Sequence, residues 1–335
     1  MIDIGINMEN FRKTSSFKKT KREIKQKFIA SGLLKKHLDL VSDCLATSDI
    51  FGVTTHGSLS IEGHLNRLSN GGYNLHPQIS VIKKTPSFAL IDGDNSIGIV
   101  SAEYCTRYAI KKAKKNGVFT VFSRNNNTFG PAFYYSLLAS TQGCVAIVLA
   151  NSPAQMTIPF GGTEKMLGTN PFSIAFPVPN SEPIIVDMAT SVVAKSKIKE
   201  YQNSGKSIPL GWALDSHGNP TTDPNEAIKG SVLPMSGIKG YGISLMIDMI
   251  AGFLSGSSYL NHVGRFYSNS NQSMNVGFNI TAIDPEIIYG PEYGENIKRY
   301  VNEIRNSPSN GQKIILPGDD RIDYKNSCIA NSSKK

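Results

Sequence analysis

The chain has 335 residues, of which 40% are apolar, and it carries a formal net charge of +9. A chain of this length can bury a large core in one big domain or two medium ones. It contains no run near the roughly eighteen uncharged apolar residues that a membrane span requires, and its N-terminus lacks the apolar segment of a signal peptide. We therefore expect a cytoplasmic protein with no membrane partner.

The positive charge invites a nucleic-acid hypothesis, which the residue pattern disfavours. Much of the excess lies in residues 12–36, where lysines follow the outer face of a helical stretch, and in the run 111–115. Neither segment interleaves aromatic residues with basic ones or carries a recognised binding motif. A solvated surface is the favoured interpretation, with attraction of an anionic substrate and dinucleotide as a secondary role. We predict no nucleic-acid partner.

The cysteines and histidines suggest no metal site. The four cysteines are widely scattered, and three of them lie in apolar periodic segments: Cys44, Cys105, Cys144 and Cys328. They fit buried free thiols in a reducing compartment. No two histidines share a chelating spacing, so we predict no metal.

Apolar periodicity predicts helices and strands that alternate along the chain. Helices are predicted in 16–50 (a pair, the first ended by Gly32), 54–70 after a turn, 102–116, 129–141, 190–204, 237–256 and 294–307. Strands or hairpins are predicted in 81–94, 118–122, 144–149, 172–178, 184–186 and 276–283. The alternation favours a layered α/β sheet. The apolar helix over 237–256 is expected to be buried on most of its circumference.

Residues 160–191 form the most informative segment. Glycines such as Gly168 allow tight turns and close approach of the backbone to a ligand. Thr169 and Asn170 offer hydrogen-bond donors just before a proline-led strand, and the next strand delivers Asp187 at its C-terminal end. Acids at that position in α/β enzymes often have catalytic or ligand-orienting roles.

Three residues are the main candidates for chemistry. His56, in the sequence TTHG, opens a helix and suits acid–base work near neutral pH, although a capping histidine is equally compatible. Asp187 can orient a histidine, hold a ribose hydroxyl, or simply favour a helix N-terminus. Lys239, between glycines, can meet a phosphate, although a lysine extending from a helix end is the favoured alternative. No G-x-G-x-x-G turn exists, so nucleotide binding requires another scaffold.

The ordered motifs resemble the malate/L-lactate/sulfolactate dehydrogenase family, which lacks a Rossmann fold and includes ureidoglycolate dehydrogenase, diketogulonate reductase and piperideine-2-carboxylate reductase. The likeness runs from about residue 38 to 320. It rests on THG at 55–57, FGG at 160–162, GTNPFSIAFP at 168–177, VDMATS at 186–191, IPLGWALDSHGNPTTDP at 208–224, LPMSGIKGYGISLMIDMIAGFLSG at 233–256 and PGD at 317–319.

This resemblance implies a mixed-sheet α/β fold of the sulfolactate dehydrogenase kind with a helical N-terminal region, a homodimer, and hydride transfer between NADH or NADPH and a small-molecule substrate. Catalysis is assigned to His56 and Asp187. The implied substrate-side residues are Thr55, Ser60, His64, Thr128, Thr169 and Asn170. The implied cofactor-side residues are His56, Gly168, Asp187, Met188, Ala189, Ile238, Lys239, Gly318, Asp319 and Asp320.

Departures from the family pattern concentrate on the substrate side. Ser60 stands where members usually carry an arginine that would grip a carboxylate, and His64 stands where they often carry a tyrosine. Thr128 replaces a histidine, and its hydroxyl is far too weak an acid or base for proton transfer near pH 7. The usual P-G-H-E turn ends in Asp319–Asp320, and the sequence pattern predicts that the usual C-terminal helix is missing.

Three functions are compatible with these changes. The first, which we prefer, is an active NAD(P)H-dependent reductase with a specialised ketone or imine substrate and His56 as proton donor. The second is a conventional 2-hydroxy acid dehydrogenase whose substrate carboxylate is held by His64 or a lysine. The third is an inactive member that serves as a binding subunit.

We divide the chain into three parts. Residues 1–75 form a helical N-terminal region that carries His56, and residues 76–318 form a mixed α/β core that binds dinucleotide and substrate. Segments 16–75 and 284–318 are expected to pack together as the helical, dimerising part. Residues 319–335 are expected to be a polar tail with little reason to fold alone.

Overall fold

The computed structural model describes residues 10–153 and 156–332. Its α-helices are α1 (Ser15–Lys27), α2 (Lys35–Ile50), α3 (Ile61–Ser69), α4 (Gly98–Asn116), α5 (Ala132–Thr141), α6 (Lys195–Asn203), α7 (Pro224–Lys229), α8 (Ile238–Ile247), α9 (Pro285–Tyr289), α10 (Tyr293–Arg305) and α11 (Asp319–Ser332). Its strands are β1 (Ser80–Lys84), β2 (Phe88–Asp92), β3 (Val118–Asn126), β4 (Val145–Ala150), β5 (Phe172–Phe176), β6 (Ile184–Met188), β7 (Ala213–Leu214), β8 (Pro220–Thr221), β9 (Ser231–Val232) and β10 (Val276–Ile283).

Seven strands form a mixed sheet in the order β1-β2-β3-β10-β4-β5-β6. The β2–β3 pair is parallel, and the other neighbours are antiparallel. β10 arrives late in the chain yet lies at the centre, where Ile280 is opposite Val121 on one side and Val148 on the other. The predicted mixed α/β fold is confirmed. Most predicted helices and strands have observed counterparts, whereas the short elements β7, β8, β9, α7 and α9 were not predicted. Two further regions differ and are described below.

One apolar core joins the N-terminal helices to the sheet. It includes Phe11 from the first turn, Leu45 from α2, Phe278 from β10 and Ile329 from α11. Within this core the rings of Phe129 and Phe278 are stacked, with their centres 5.6 Å apart. The elements that carry His56 therefore share their core with the strands that carry Asp187.

A three-stranded sheet in the order β8-β7-β9 builds a smaller layer beside the main sheet. With α6 and α7 it has its own apolar cluster of Ile198, Ile208, Ala213, Ala227 and Val232. This layer leads the chain into α8, which belongs to the candidate site. Within the described residues, no helix is long and apolar enough to span a bilayer.

The end of the chain corrects the predictions that residues 319–335 are a polar tail and that the usual C-terminal helix is missing, because residues 319–332 form α11. Its inward positions are Ile329, which is 8% exposed, and Lys325, which is fully buried. The Lys325 ammonium is 2.5 Å from a carboxylate oxygen of Glu182, before β6. An ion pair at a core position removed the apolar periodicity on which the prediction depended.

The face of α8 is the second correction. Its buried residues are Gly240, Ser244 and Ile247, whereas Ile243 and Met246 are 42% and 48% exposed. α8 continues as a π-helical segment, Asp248–Phe253. The expectation that this helix is buried on most of its circumference is wrong for the single chain.

Candidate active site

His56 lies on a turn that Asp49 holds in place. The Asp49 carboxylate accepts hydrogen bonds from the Ser58 amide at 2.9 Å and the Ser58 hydroxyl at 3.2 Å. The Asp49 carboxylate also lies against Gly57, and a Cβ on Gly57 would be 2.0 Å from its oxygen. The glycine after the histidine is therefore a steric requirement of this turn. The result is a histidine held on the protein surface by a rigid support.

The environment of His56 favours a neutral imidazole. The side chain is exposed, and its Nδ1 is 3.1 Å from the hydroxyl of Thr55. Desolvation by the surrounding protein, together with the positive charge of Arg321, lowers the pKa of His56 below its usual 6.5. A neutral imidazole open to solvent can accept a proton from a substrate hydroxyl near pH 7.

Ser60 and His64 lie beneath this turn and are not exposed to solvent. Ser60 is 5% exposed, and its hydroxyl donates to the Gly57 carbonyl at 2.7 Å. His64 is 1% exposed, its Nδ1 is 3.1 Å from the Tyr73 hydroxyl, and its ring meets Phe266 edge to face.

His64 remains uncharged over the physiological pH range. Burial, the positive charge of Arg67 and the proximity of His56 lower the pKa of His64 to about 3. A buried neutral ring cannot supply the positive charge that a substrate carboxylate needs.

Asp187, at the end of β6, is held by an arginine from α11. The Arg321 Nη1 is 2.8 Å from the Asp187 Oδ2, and the Arg321 Nη2 donates to the Asp187 carbonyl at 3.0 Å. Burial raises the pKa of Asp187, and the Arg321 charge acts in the opposite direction. The structure thus pairs Asp187 with Arg321. The charge of Arg321 also contributes to the lowered pKa of His56.

Hydrogen bonds join three segments that are distant in sequence and that we predicted to lie on the cofactor side. The Thr169 carbonyl accepts from both the amide and the hydroxyl of Thr190, each at 2.8 Å. The Thr190 carbonyl accepts from the Met235 amide at 2.9 Å, just before α8. The GTNP turn, the VDMATS segment and the start of α8 therefore form one continuous wall.

Asn170 and Gly168 support this wall from within. The fully buried Asn170 amide accepts from the Ser152 amide and donates to the Ser244 carbonyl, each at 3.0 Å. A Cβ on Gly168 would lie 2.5 Å from the Ser152 Cβ, so a larger residue would displace the neighbouring chain. Both residues have structural roles at this site whatever ligand contacts they also make.

The predicted cofactor-side residues differ in accessibility. Met188 is 41% exposed and Ile238 61% exposed, Lys239 is also exposed, and Ala189 is half-buried. α8 begins without a side-chain cap, so Lys239 lies beside open backbone amides. Open amides at a helix N-terminus with an adjacent lysine suit an anionic phosphate.

The turn before α11 packs on the free edge of β6. The Ile185 amide donates to the Pro317 carbonyl at 3.1 Å, and Gly318 has φ +94° with its α-carbon against the Ile185 backbone. The Asp319 carboxylate accepts from the Leu316 amide and pairs with Arg305 at 2.7 Å, whereas Asp320 is exposed. The Asp319 carboxylate is thus occupied by Leu316 and Arg305, which leaves Asp320 more accessible to a ligand.

Thr128 lies on another wall, just beyond β3 and against the start of α4. A Cβ on Gly98 would lie 2.6 Å from the Thr128 carbonyl. The residue is half-buried. Two residues later, Gly130 packs near Cys44 of α2, the helix that leads to His56.

Sequence reasoning missed Arg321, which pairs with Asp187 and whose charge also affects His56. Its signal was weak, because the segment 319–332 lacks an apolar stripe. An arginine two residues after a P-G-D turn was the only local clue. Among the described residues, no group of three or more His, Cys, Asp or Glu side chains is arranged to hold a metal ion.

Comparisons with known proteins agree with this geometry. The family model for malate/L-lactate dehydrogenase matches residues 15–331. A malate dehydrogenase of Pyrococcus horikoshii is 39% identical over 285 residues, covering 82% of this chain and 78% of that protein. A ureidoglycolate dehydrogenase (NAD(+)) of Escherichia coli is 33% identical over 302 residues, covering 89% and 85%.

The fold is similar to that of the solved sulfolactate dehydrogenase of Methanocaldococcus jannaschii. The TM-score is 0.86 at 36% identity, covering 93% of this chain and 90% of that one. The resemblance drawn from the ordered motifs is therefore confirmed. The chain belongs to the malate/L-lactate dehydrogenase family and is an oxidoreductase.

Proposed function

We propose that the chain is an NADH- or NADPH-dependent oxidoreductase that acts on a ketone or imine carbon of a specialised substrate. The observation that carries this proposal is the absence of a cationic group at Ser60 and His64. Ser60 is buried with its hydroxyl bonded to the backbone, and His64 is buried and neutral. The position that would grip a 2-oxo acid carboxylate therefore offers it no positive charge.

The cofactor-side wall fits a nicotinamide dinucleotide. Met188 and Ile238 present apolar surface, and Lys239 stands beside the uncapped amides of α8, where a pyrophosphate would be stabilised. Gly168 keeps the wall compact behind them. A bound dinucleotide supplies or accepts the hydride. Measurements of NADH and NADPH binding to the chain would decide which of the two is the preferred cofactor.

His56 is the proton-transfer group in this scheme. In the oxidising direction its neutral imidazole takes the hydroxyl proton of the substrate, and in the reducing direction the imidazolium returns it. The Thr55 hydroxyl, 3.1 Å from Nδ1, orients the ring and leaves Nε2 for the substrate. Thr128 does not titrate near neutral pH and takes no part in the proton transfer.

A conventional 2-hydroxy acid dehydrogenase is the second candidate. The 39% identity to a malate dehydrogenase favours it. It requires a substrate carboxylate held by a cation other than His64, because that ring is neutral. A lysine remains available for this role under the alternative.

Replacement of His56 tests the catalytic assignment. His56→Ala should lower kcat by roughly 10²–10⁴-fold, because proton transfer by a positioned side chain contributes about that much. NADH and NADPH should still raise the melting temperature of the variant, which shows that the cofactor wall is intact. His217→Ala, at an exposed turn, is the matched control with unchanged kcat. A variant at position 56 with nearly normal kcat would remove this residue from proton transfer.

A substrate panel tests the proposed specificity. With the preferred cofactor, ketones or cyclic imines should give higher kcat/KM than pyruvate or oxaloacetate, measured by loss of NAD(P)H absorbance. Ser60→Arg combined with Thr128→His should raise activity on the 2-oxo acids, since it restores a cation and a titrating group. Strong activity of the unmodified chain on pyruvate or oxaloacetate would establish the second candidate instead, whether or not the double variant folds.

The neutrality of His64 predicts a pH dependence of stability. The unfolded histidine gains a proton below about pH 6.5, whereas the folded one resists protonation down to about pH 3. Stability from this residue is complete above pH 6.5 and declines as pH falls, by about 1.4 kcal/mol per unit. In His64→Gln, the free energy of unfolding should therefore fall less between pH 7 and pH 5 than in the parent chain. His217→Gln serves as control, and equal slopes for all three proteins would show that His64 has the same pKa in the folded and unfolded states.

We further propose that the chain forms a homodimer through the exposed face of α8 and its π-helical extension. Its exposed apolar residues recur at helical spacing: Ile243, Met246, Met249, Phe253 and Leu254. A continuous apolar stripe of this size on one helix face is typical of an interface. This places the contact on α8 rather than on the segments 16–75 and 284–318 that the sequence suggested.

Charge insertion distinguishes the two locations. Met246→Glu with Phe253→Glu should convert the dimer to a monomer, measured by sedimentation velocity, because two carboxylates would be buried in the contact. Ile82→Glu, at an exposed position of the β1 edge, should remain dimeric. Dissociation caused by Ile288→Glu, but not by the α8 variant, would assign the interface to 284–318.

A further inference from the structure

The C-terminal helix α11 lies between the two halves of the candidate site. On one side, the Tyr324 ring packs so close to Gly52 that a Cβ there would lie 3.1 Å from it. Gly52 begins the turn that carries His56. On the other side, Arg321 reaches Asp187 at the end of β6. One helix therefore sets the spacing between the proton-transfer residue and the cofactor-side wall.

The guanidinium of Arg321 has a fixed orientation. It contacts both the carboxylate of Asp187, at 2.8 Å, and the backbone carbonyl of the same residue, at 3.0 Å. Its carbon is 5.2 Å from the centre of the Phe133 ring, which adds a cation–π contact. The side chains of Arg321 and Asp187 are 23% and 11% exposed, so water screens the pair only partly. The charge of Arg321 is thus held at a defined place beside the site.

Four elements near His56 carry charged or titratable side chains. α11 contributes the cation of Arg321, and β6 contributes Asp187, which Arg321 already pairs. α3 contributes the neutral His64, and α2 contributes Asp49, whose carboxylate is bound by Ser58. Arg321 is the group among these whose charge acts on the imidazole to disfavour its protonation.

We propose that Arg321 is a positioning residue of the active site, which fixes Asp187 at the end of β6 and holds its cation beside the turn that carries His56. This inference rests on the proposed role of His56 in proton transfer. It also gives the C-terminal helix a function in catalysis, since α11 carries both the cation that pairs with Asp187 and the Tyr324 ring that packs on Gly52. Arg321 itself does not touch the reacting atoms in this scheme.

α11 has anchors that do not involve Arg321. Lys325 pairs with Glu182 and lies 5.8 Å from the Phe51 ring, and Asp319 pairs with Arg305. Replacing Arg321 therefore leaves these other contacts of the helix intact. Variants at position 321 test the charge rather than the presence of the helix.

Three variants of the full chain change the field on His56 in different directions. Arg321→Gln removes the cation and leaves the Asp187 carboxylate unpaired, so the pKa of His56 should rise. Arg321→Lys should restore most of the original value. Asp187→Asn leaves the cation without its partner, so the pKa of His56 should fall further. NMR titration of the His56 ring measures all three, and Lys313→Gln, which removes the exposed pair with Asp323, is the control.

The pH profile of kcat/KM in the oxidising direction provides the second readout. Its acidic limb should move to higher pH in Arg321→Gln, so kcat/KM should be lower than in the parent chain at pH values below both limbs. A His56 pKa that is unchanged in folded Arg321→Gln would overturn the proposal, as would equal loss of melting temperature in all variants with no change in titration. If no substrate is turned over by the parent chain, the proposed function fails, while the titration still decides the role of Arg321.

Discussion

The ion pair between Arg321 and Asp187 is the contact on which the arrangement of the site depends. It joins the last helix of the chain to the edge strand of the main sheet. Because the guanidinium contacts the carboxylate and the carbonyl of one residue, it holds the strand end as well as the charge. The same helix packs on Gly52, so the turn that carries His56 is placed relative to that strand. A partly buried pair of this kind is costly to break from one side only.

The cofactor-side wall depends on a different kind of contact. Its three segments are joined by hydrogen bonds through Thr190 to Thr169 and Met235, and Asn170 is buried behind them. Motif residues that suggest ligand binding therefore also serve to hold backbone segments together. This dual use explains why position 168 is a glycine, since a larger side chain there would displace Ser152. It also explains the buried Asn170, whose amide bonds to the Ser244 carbonyl in α8. The exposed groups on this wall, such as Lys239, are the ones available to a ligand.

Local patterns predicted most helices and strands, including the central strand β10, because alternation and helical spacing report which faces are buried. They failed at α11, where Lys325 occupies a core position and its stabilisation comes from Glu182, 143 residues away. They also failed for the face of α8, because a helix that is apolar on most sides does not reveal which side contacts the rest of its own chain. For the site, the sequence nominated His56 and Asp187 but offered no sign of Arg321, the arginine that pairs with Asp187.

By itself, the sequence determined the family, the order of the elements, and the departures from the usual family residues at Ser60, His64 and Thr128. Each of these can be recognised from short continuous stretches of sequence. Tertiary structure alone decided that His64 is a buried neutral ring and that Asp187 pairs with Arg321, 134 residues away. Charge states and pairings of this kind depend on which distant groups share a desolvated space, and no local spacing of residues encodes that.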